Sequence, residues 1–212
     1  MSSENFDRFV YLTVPDEPSG LVVFAHGRSS RHGTRNRAMC EVLNEAGLGT
    51  LRVDLFGPED ESHSGDIDLT MLVHRLGTLT GWITDQDLAI GHPIGYLGTG
   101  IGAVVALLAA ADIRTSVAAV VCCGGRPDLA GPALAAVRAP TLLIGASRDP
   151  AALAMNHRAA ELMSCEKELA EVPHATQLFD EPGTADRAAE LACDWFTAHL
   201  APSPAVAGRV SG

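Results

Sequence analysis

The chain is expected to fold as a single α/β domain, with a mostly parallel central sheet covered by helices on both faces. Three observations predict this. Strand-like and helix-like segments alternate along residues 9–200, the pattern of repeated strand–helix–strand units. The connections between them are short. Runs such as residues 21–25, Leu-Val-Val-Phe-Ala, are continuously apolar, as a strand buried on both faces requires.

Taken in order, residues 9–14 alternate as a strand and residues 15–20 carry turn residues. Residues 21–25 form the next strand. Residues 36–46 show helical periodicity and stop at Gly47, a residue suited to a helix C-cap. Residues 50–55 read as a strand, and residues 56–68 as an acidic loop. Residues 69–88 read as a helix weakened by Gly77 and Gly81. The strand at 94–97 runs directly into a helix at 101–111. Strands are expected at 117–122, 140–144 and 167–172, and helices at 150–163 and 183–200. Ligand sites in such a sheet lie beyond the carboxyl ends of the strands. Chemistry is therefore sought just after Ala25, Leu55, Leu97, Cys122, Ile144 and Val172. No insertion long enough for a large lid is apparent, residues 56–68 being the only candidate.

A chain of 212 residues that is 47% hydrophobic can bury a core within one domain, assigned to residues 1–200. Residues 201–212 are rich in Ala, Gly, Ser and Pro, and are expected to be a disordered tail. The apolar stretches fall short of a membrane span, and residues 1–9 resemble no signal peptide. With a net charge of −11, the surface would repel phosphate backbones, so nucleic acid and membranes are not expected partners. The five cysteines are odd in number and lack the spacing of a zinc site. Reduced thiols in the cytoplasm, and no metal or cofactor, are the expectation.

The most informative motif is Gly98-Thr99-Gly100-Ile101-Gly102. It follows a strand and opens a small-residue helix, which is the layout of a G-x-S-x-G nucleophile elbow. The central residue of such an elbow normally lifts an oxygen or sulfur into the site. Here it is Gly100, which keeps the turn and deletes the reactive atom. By itself the run also suits a Gly-rich phosphate-binding turn. A dinucleotide fingerprint, however, would need Gly at 103, where Ala103 stands.

Asp149 follows one predicted strand and His174 the next. The order elbow, Asp, His is that of the α/β hydrolases, and it favours a triad frame. Taken singly, Asp149 before Pro150 also suits a helix N-cap, and His174 an ordinary loop residue. The turn His26-Gly27-Arg28 follows the strand at 21–25. The backbone N–H groups of Arg28 and Ile101 are the expected oxyanion hole. His26, Thr99 and Cys123 are expected at the wall of a substrate site, His26 in a structural role and Thr99 turned away from the pocket.

Beyond these motifs, the chain resembles the dienelactone-hydrolase-like α/β hydrolases. Its likeness is to the small bacterial branch found alone or fused to phosphoribosyltransferase domains. The resemblance rests on Phe24-Ala25-His26-Gly27, Ser29-Ser30-Arg31-His32, Arg35-Asn36-Arg37, Leu43-Asn44-Glu45-Ala46-Gly47, Gly124-Gly125-Arg126-Pro127-Asp128-Leu129-Ala130 and Ala139-Pro140-Thr141-Leu142-Leu143-Ile144. It continues through Cys165-Glu166-Lys167, His174, Leu178-Phe179 and Glu181-Pro182-Gly183-Thr184. It implies the α/β-hydrolase fold and action on small esters or lactones, without metal or cofactor. It also implies Asp149 as acid, His174 as base and Gly100 at the nucleophile position. Either an engineered Ser-to-Gly change or a natural pseudoenzyme gives this pattern.

Two other readings stay open. The Asp149–His174 dyad could act as a general base on water, or the chain could bind a small ligand without turnover. Association into a homodimer is allowed. Cys122 and Cys123 read as small apolar residues rather than as substitute nucleophiles. The basic cluster Arg28, Arg31, His32, Arg35 and Arg37 could attract an anionic substrate or pair with Glu59, Asp60 and Glu61.

Overall fold

The structure, a computed structural model, describes residues 10–27, 33–56, 67–86 and 89–200. The acidic loop at 57–66 and the tail at 201–212 lie outside the described residues. The strands are β1 (Val10–Thr13), β2 (Gly20–His26), β3 (Leu48–Asp54), β4 (Ile94–Thr99), β5 (Ala119–Cys123), β6 (Thr141–Ala146) and β7 (Lys167–Val172). The helices are α1 (Gly33–Glu45), α2 (Leu69–Thr84), α3 (Ile101–Ala110), α4 (Pro150–Leu162) and α5 (Thr184–His199).

The strands form one seven-stranded sheet in the order β1-β3-β2-β4-β5-β6-β7. Only β1 runs antiparallel, against β3. The fold is that of an α/β hydrolase. The continuous apolar runs follow from covering both faces. In β2, Val22 and Phe24 join Met39 and Leu43 of α1 and Phe196 of α5 in one core. Leu21, Val23 and Ala25 join Leu72 and Leu76 of α2 and Val104 of α3 in the other. Every second residue thus serves the opposite layer. No helix among the described residues is long and apolar enough to cross a membrane.

A few polar groups are locked inside this framework. Tyr96 of β4 is fully buried, and its hydroxyl meets Thr80 Oγ1 of α2 at 2.7 Å. Thr80 gives its own proton to the Leu76 carbonyl at 2.8 Å. Tyr96 is therefore the donor in the first bond, and burial pushes its phenol up to about 12.

Several elements differ in extent from the sequence expectation, among them α2, which ends at Thr84, and β5, which runs Ala119–Cys123. Strand β4 continues through Gly98 and Thr99 to the elbow, and α1 starts three residues earlier than its apolar periodicity. Residues Pro127–Ala136, unassigned in the sequence, form 3-10 turns broken at Gly131, where φ is 53°. Gly47 ends α1 with φ at 82°, as a left-handed cap should.

Candidate active site

The carboxyl end of the sheet gathers the residues singled out in the sequence. His26 pairs in register with Thr99, and Thr99 with Cys123, so the three occupy one rung across β2, β4 and β5. Cys123 shares the core under α1 and α5, and strand alternation puts Thr99 on that same face, as does Leu97 two residues earlier. Thr99 is buried.

The residue after β4 is Gly100, which stands as the N-cap of α3 with φ 57° and ψ −120°. Side chains rarely adopt this conformation, and it is the strained geometry of a sharp strand-to-helix turn. Its neighbours explain the spacing of the glycines. A Cβ on Gly98 would strike Ala103 Cα at 2.5 Å, and one on Gly102 would strike the Ala25 carbonyl carbon at 2.7 Å. A Cβ on Gly125, just past β5, would lie 3.0 Å from Gly100 Cα. Strand, helix and loop thus close tightly around the turn. At Gly100 itself a Cβ would meet nothing within 4 Å, and the residue is exposed. The turn is packed everywhere except where a side chain would project.

Above this turn, the first N–H groups of α3 have no acceptor within the helix. The N–H of Ile101 is the first of them, and the helix dipole adds partial positive charge there. Ile101 Cγ2 lies 2.6 Å from where a Gly27 Cβ would be, so the His26-Gly27 turn packs directly on the start of α3. Arg28, whose N–H was expected to complete an oxyanion hole, lies outside the described residues. His26 is partly buried. It lies edge-on to Phe24 with centroids 6.0 Å apart, and burial holds its pKa below the ordinary value despite the nearby Gly27 carbonyl and Asp54.

Asp149 and His174 sit on neighbouring loops after β6 and β7. Their strands pair up to Ala146 and Val172. Beyond that, Ser147 N–H donates to the Val172 carbonyl at 3.2 Å, and Arg148 N–H to the Ala175 carbonyl at 2.9 Å. His174 N–H donates to Ser147 Oγ at 2.8 Å, which holds His174 at φ 64°. Thr176 N–H donates to Glu181 Oε2 at 3.0 Å, folding the loop back toward α5.

The two loops are joined, but the two side chains are not hydrogen-bonded to each other among the described residues. Asp149 Oδ1 accepts Ala152 N–H at 2.9 Å and caps α4, with Pro150 at the first helical turn. Asp149 Oδ2 carries no described bond, and the His174 side chain is exposed. Cys122 and Cys123 are buried, and burial pushes the Cys123 thiol up to about 12. Such a thiol is a poor nucleophile.

Sequence reasoning missed Ser147 and Gly125. Gly124-Gly125 directly after a strand was the available signal for the second. For Ser147 there was none, because its bond spans 27 residues of chain.

A seven-stranded sheet with a strained strand-to-helix turn at its centre and a joined Asp and His loop pair defines an α/β hydrolase. No protein-family model matches the chain. Its structure superimposes on a crystal structure of dienelactone hydrolase from Anabaena variabilis with a TM-score of 0.85. The two are 42% identical, over 90% of this chain and 91% of that one. The chain belongs to the dienelactone hydrolase family. Est1E from Butyrivibrio proteoclasticus shares the fold at 17% identity, with a TM-score of 0.75 over 92% of this chain and 96% of that one. Two Mycobacterium tuberculosis proteins, provisionally named phosphoribosyl transferases, are 51% identical over 92% of the chain. This chain spans 44% of their length.

Proposed function

We propose that this chain is an ester- and lactone-binding member of its family in which the acyl-enzyme step is lost at Gly100. The observation that carries the reading is the turn itself. Gly100 has the strained elbow conformation and open space at its Cβ, while every neighbouring glycine is in close packing. The carbonyl oxygen of a bound ester would take hydrogen bonds from the N–H groups of Ile101 and Arg28. With a nucleophile restored at position 100, His174 would be the base and later the acid. Asp149 would orient it through Oδ2, its Oδ1 remaining on the α4 cap. His26, Thr99 and Cys123 form the sheet end beneath. Without an attacking atom at position 100, what remains is binding and oxyanion stabilisation, worth about 10³–10⁴-fold over water in a hydrolase stripped of its serine.

The experiment is hydrolysis of short-chain p-nitrophenyl esters by the chain as given and by Gly100→Ser and Gly100→Cys. The expected result is near-background turnover for the parent and a burst followed by steady turnover for the serine variant. A folded Gly100→Ser protein with no gain overturns the reading.

The same open space supports a second reading. A water held over Gly100 would attack the ester carbonyl and pass its proton to His174. Gly100→Ser would then block turnover, and His174→Ala would abolish it.

The proposal includes a cytoplasmic setting, consistent with the cysteines being free among the described residues. It takes a small ester or lactone as partner and leaves room for a homodimer. It assigns no metal, cofactor, nucleic acid or membrane. Phosphoribosyl transfer is named only for the longer mycobacterial proteins.

A further inference from the structure

His199 closes α5 with each of its ring nitrogens against an acceptor. Nδ1 lies 2.8 Å from the carbonyl oxygen of Trp195, one turn back in the same helix. Nε2 lies 3.3 Å from Glu166 Oε1, on the connection between β6 and β7. Neither a carbonyl nor a carboxylate has a proton to give. A neutral imidazole carries one N–H and one lone pair, so it satisfies one of these contacts and turns a lone pair on oxygen in the other. The imidazolium, with two N–H groups, donates to both. Two further features favour the cation. The ring lies against the Trp195 indole, with centroids 4.1 Å apart and planes inclined at 33°, and an aromatic face attracts a cation. The last turn of a helix also carries partial negative charge, and His199 is the basic residue of that turn.

The partners of His199 are themselves fixed. Trp195 Nε1–H donates to the Pro140 carbonyl at 3.4 Å, just before β6. The Glu166 carbonyl accepts Thr141 N–H at 2.9 Å. Lys167, beside Glu166, is engaged elsewhere, its ammonium donating to the Met163 carbonyl just past α4. On α5 itself, Glu190 pairs with Arg187. The other elements packed on α5, namely α1, β5 and β6, give His199 no ion pair among the described residues, where Glu166 is its partner. The His199 side chain is 18% exposed and that of Glu166 66%, so the pair exchanges protons with solvent. The turn held in this way closes the amino-terminal end of the sheet. A Cβ on Gly95 of β4 would lie 2.6 Å from Phe196 Cε1, and one on Gly20 of β2 would lie 2.8 Å from Leu200 Cβ.

We propose that His199 is a proton-controlled clasp on the last turn of α5, closed while its ring is an imidazolium and open once the ring gives up one proton. The inference is independent of the hydrolase reading and uses no residue of that site. The folded chain holds the cation by contacts that the unfolded chain lacks, so folding takes up a proton. The stability contributed by the clasp is therefore present in acid, below the ordinary imidazole range, and is lost as the pH rises through and above it. Loss of the proton turns a lone pair toward Glu166. The exposed carboxylate then swings into water, and Phe196 and Leu200 lose the fastening beside them.

The test follows the full chain between about pH 5 and pH 9, either side of the imidazole range. The chain has two tryptophans, so a Trp82→Phe background leaves Trp195 as the reporter. An imidazolium lying against an indole quenches its fluorescence. Trp195 emission is expected to rise in one sigmoidal step as the pH increases, and the step is expected to vanish in His199→Gln. Glu166→Gln keeps the shape of the side chain and removes its charge, and is expected to move the step to lower pH. Urea denaturation gives a second readout. His199→Gln should lower the folding equilibrium constant by about 2- to 30-fold at about pH 5 and leave it unchanged at about pH 9. Constant emission across the range overturns the proposal, as does a step that persists in His199→Gln. A stability loss of equal size at both pH values also overturns it, because a ring that only packs would give that result. If His199→Gln does not fold, the parent and Glu166→Gln decide the matter, and a step that Glu166→Gln leaves in place overturns the clasp.

Discussion

The Ser147 hydroxyl accepts the backbone N–H of His174 at 2.8 Å, tying the loop that carries Asp149 to the loop that carries His174. The bond fixes a non-glycine residue in the left-handed region, with φ at 64°, which few side chains tolerate without such support. Ser147 is thus a positioning residue for the histidine.

Replacing it should loosen the loop without unfolding the protein. Ser147→Ala is expected to cost about 0.5–1.5 kcal/mol, because water can reach the freed N–H. Urea denaturation measures that cost. In a Gly100→Ser background the same change should lower kcat with little effect on KM, and Ser147→Thr should restore it. A purely structural role would leave kcat intact.

Asp149 has one task the structure shows, and a second belongs to the proposed function. Its Oδ1 caps α4 through Ala152 N–H. Asp149→Ala should therefore lower stability by about 1 kcal/mol, while Asp149→Asn keeps the cap and most of the stability. If Asp149 also orients His174, the asparagine variant should still lose activity in the Gly100→Ser background. Paired melting curves and rate measurements on the two variants separate cap from acid.

The elbow glycines should respond unequally to substitution. Gly100→Ala places a methyl group in open space and bears only backbone strain, about 1–3 kcal/mol. Gly125→Ala bears similar strain, with φ at 87°, and its methyl also collides with Gly100. The collision should add about 1–3 kcal/mol. Denaturation midpoints of the two variants test the order, and a Gly125→Ala protein as stable as Gly100→Ala would contradict the packing around the turn.

Glu181 gives the His174 loop an acid-sensitive fastening. The Thr176 N–H holds its carboxyl below the ordinary value against the opposing effect of desolvation, with Arg148 adding a smaller contribution. A depressed folded-state pKa means the contribution is present above the ordinary carboxylate range and fades as pH falls through the folded value. Glu181→Gln should therefore melt below the parent at neutral pH and converge with it in acid. Thermal melts of both proteins across pH 3–8, a window of about that width around the carboxylate range, provide the check.

Much of this architecture was readable in the chain because each strand must satisfy two layers at once. The run at 21–25 had to be apolar throughout, and glycine had to stand where β4, α3 and the following loops close around the elbow. The ends of elements were less legible. Gly98 and Thr99 look like turn residues, yet they complete β4, because close packing on α3 excludes any side chain at 98. The 3-10 turns at Pro127–Ala136 were hidden by Pro127, Gly131 and Pro132, which signal a loop. In the site, the order Gly100, Asp149, His174 located three strand ends. The helix cap made by Asp149 was legible from Pro150 behind it. That Ser147 holds His174 was not, because that bond depends on how two loops meet in space.

The bare turn at Gly100 also determines how this protein can be noticed. Reagents that report hydrolases by forming a bond, such as fluorophosphonates and β-lactones, need an oxygen or sulfur on the elbow. Position 100 offers a hydrogen. On the proposed reading, a covalent census of a proteome would pass over this chain, and a ligand analogue immobilised on a resin would retain it.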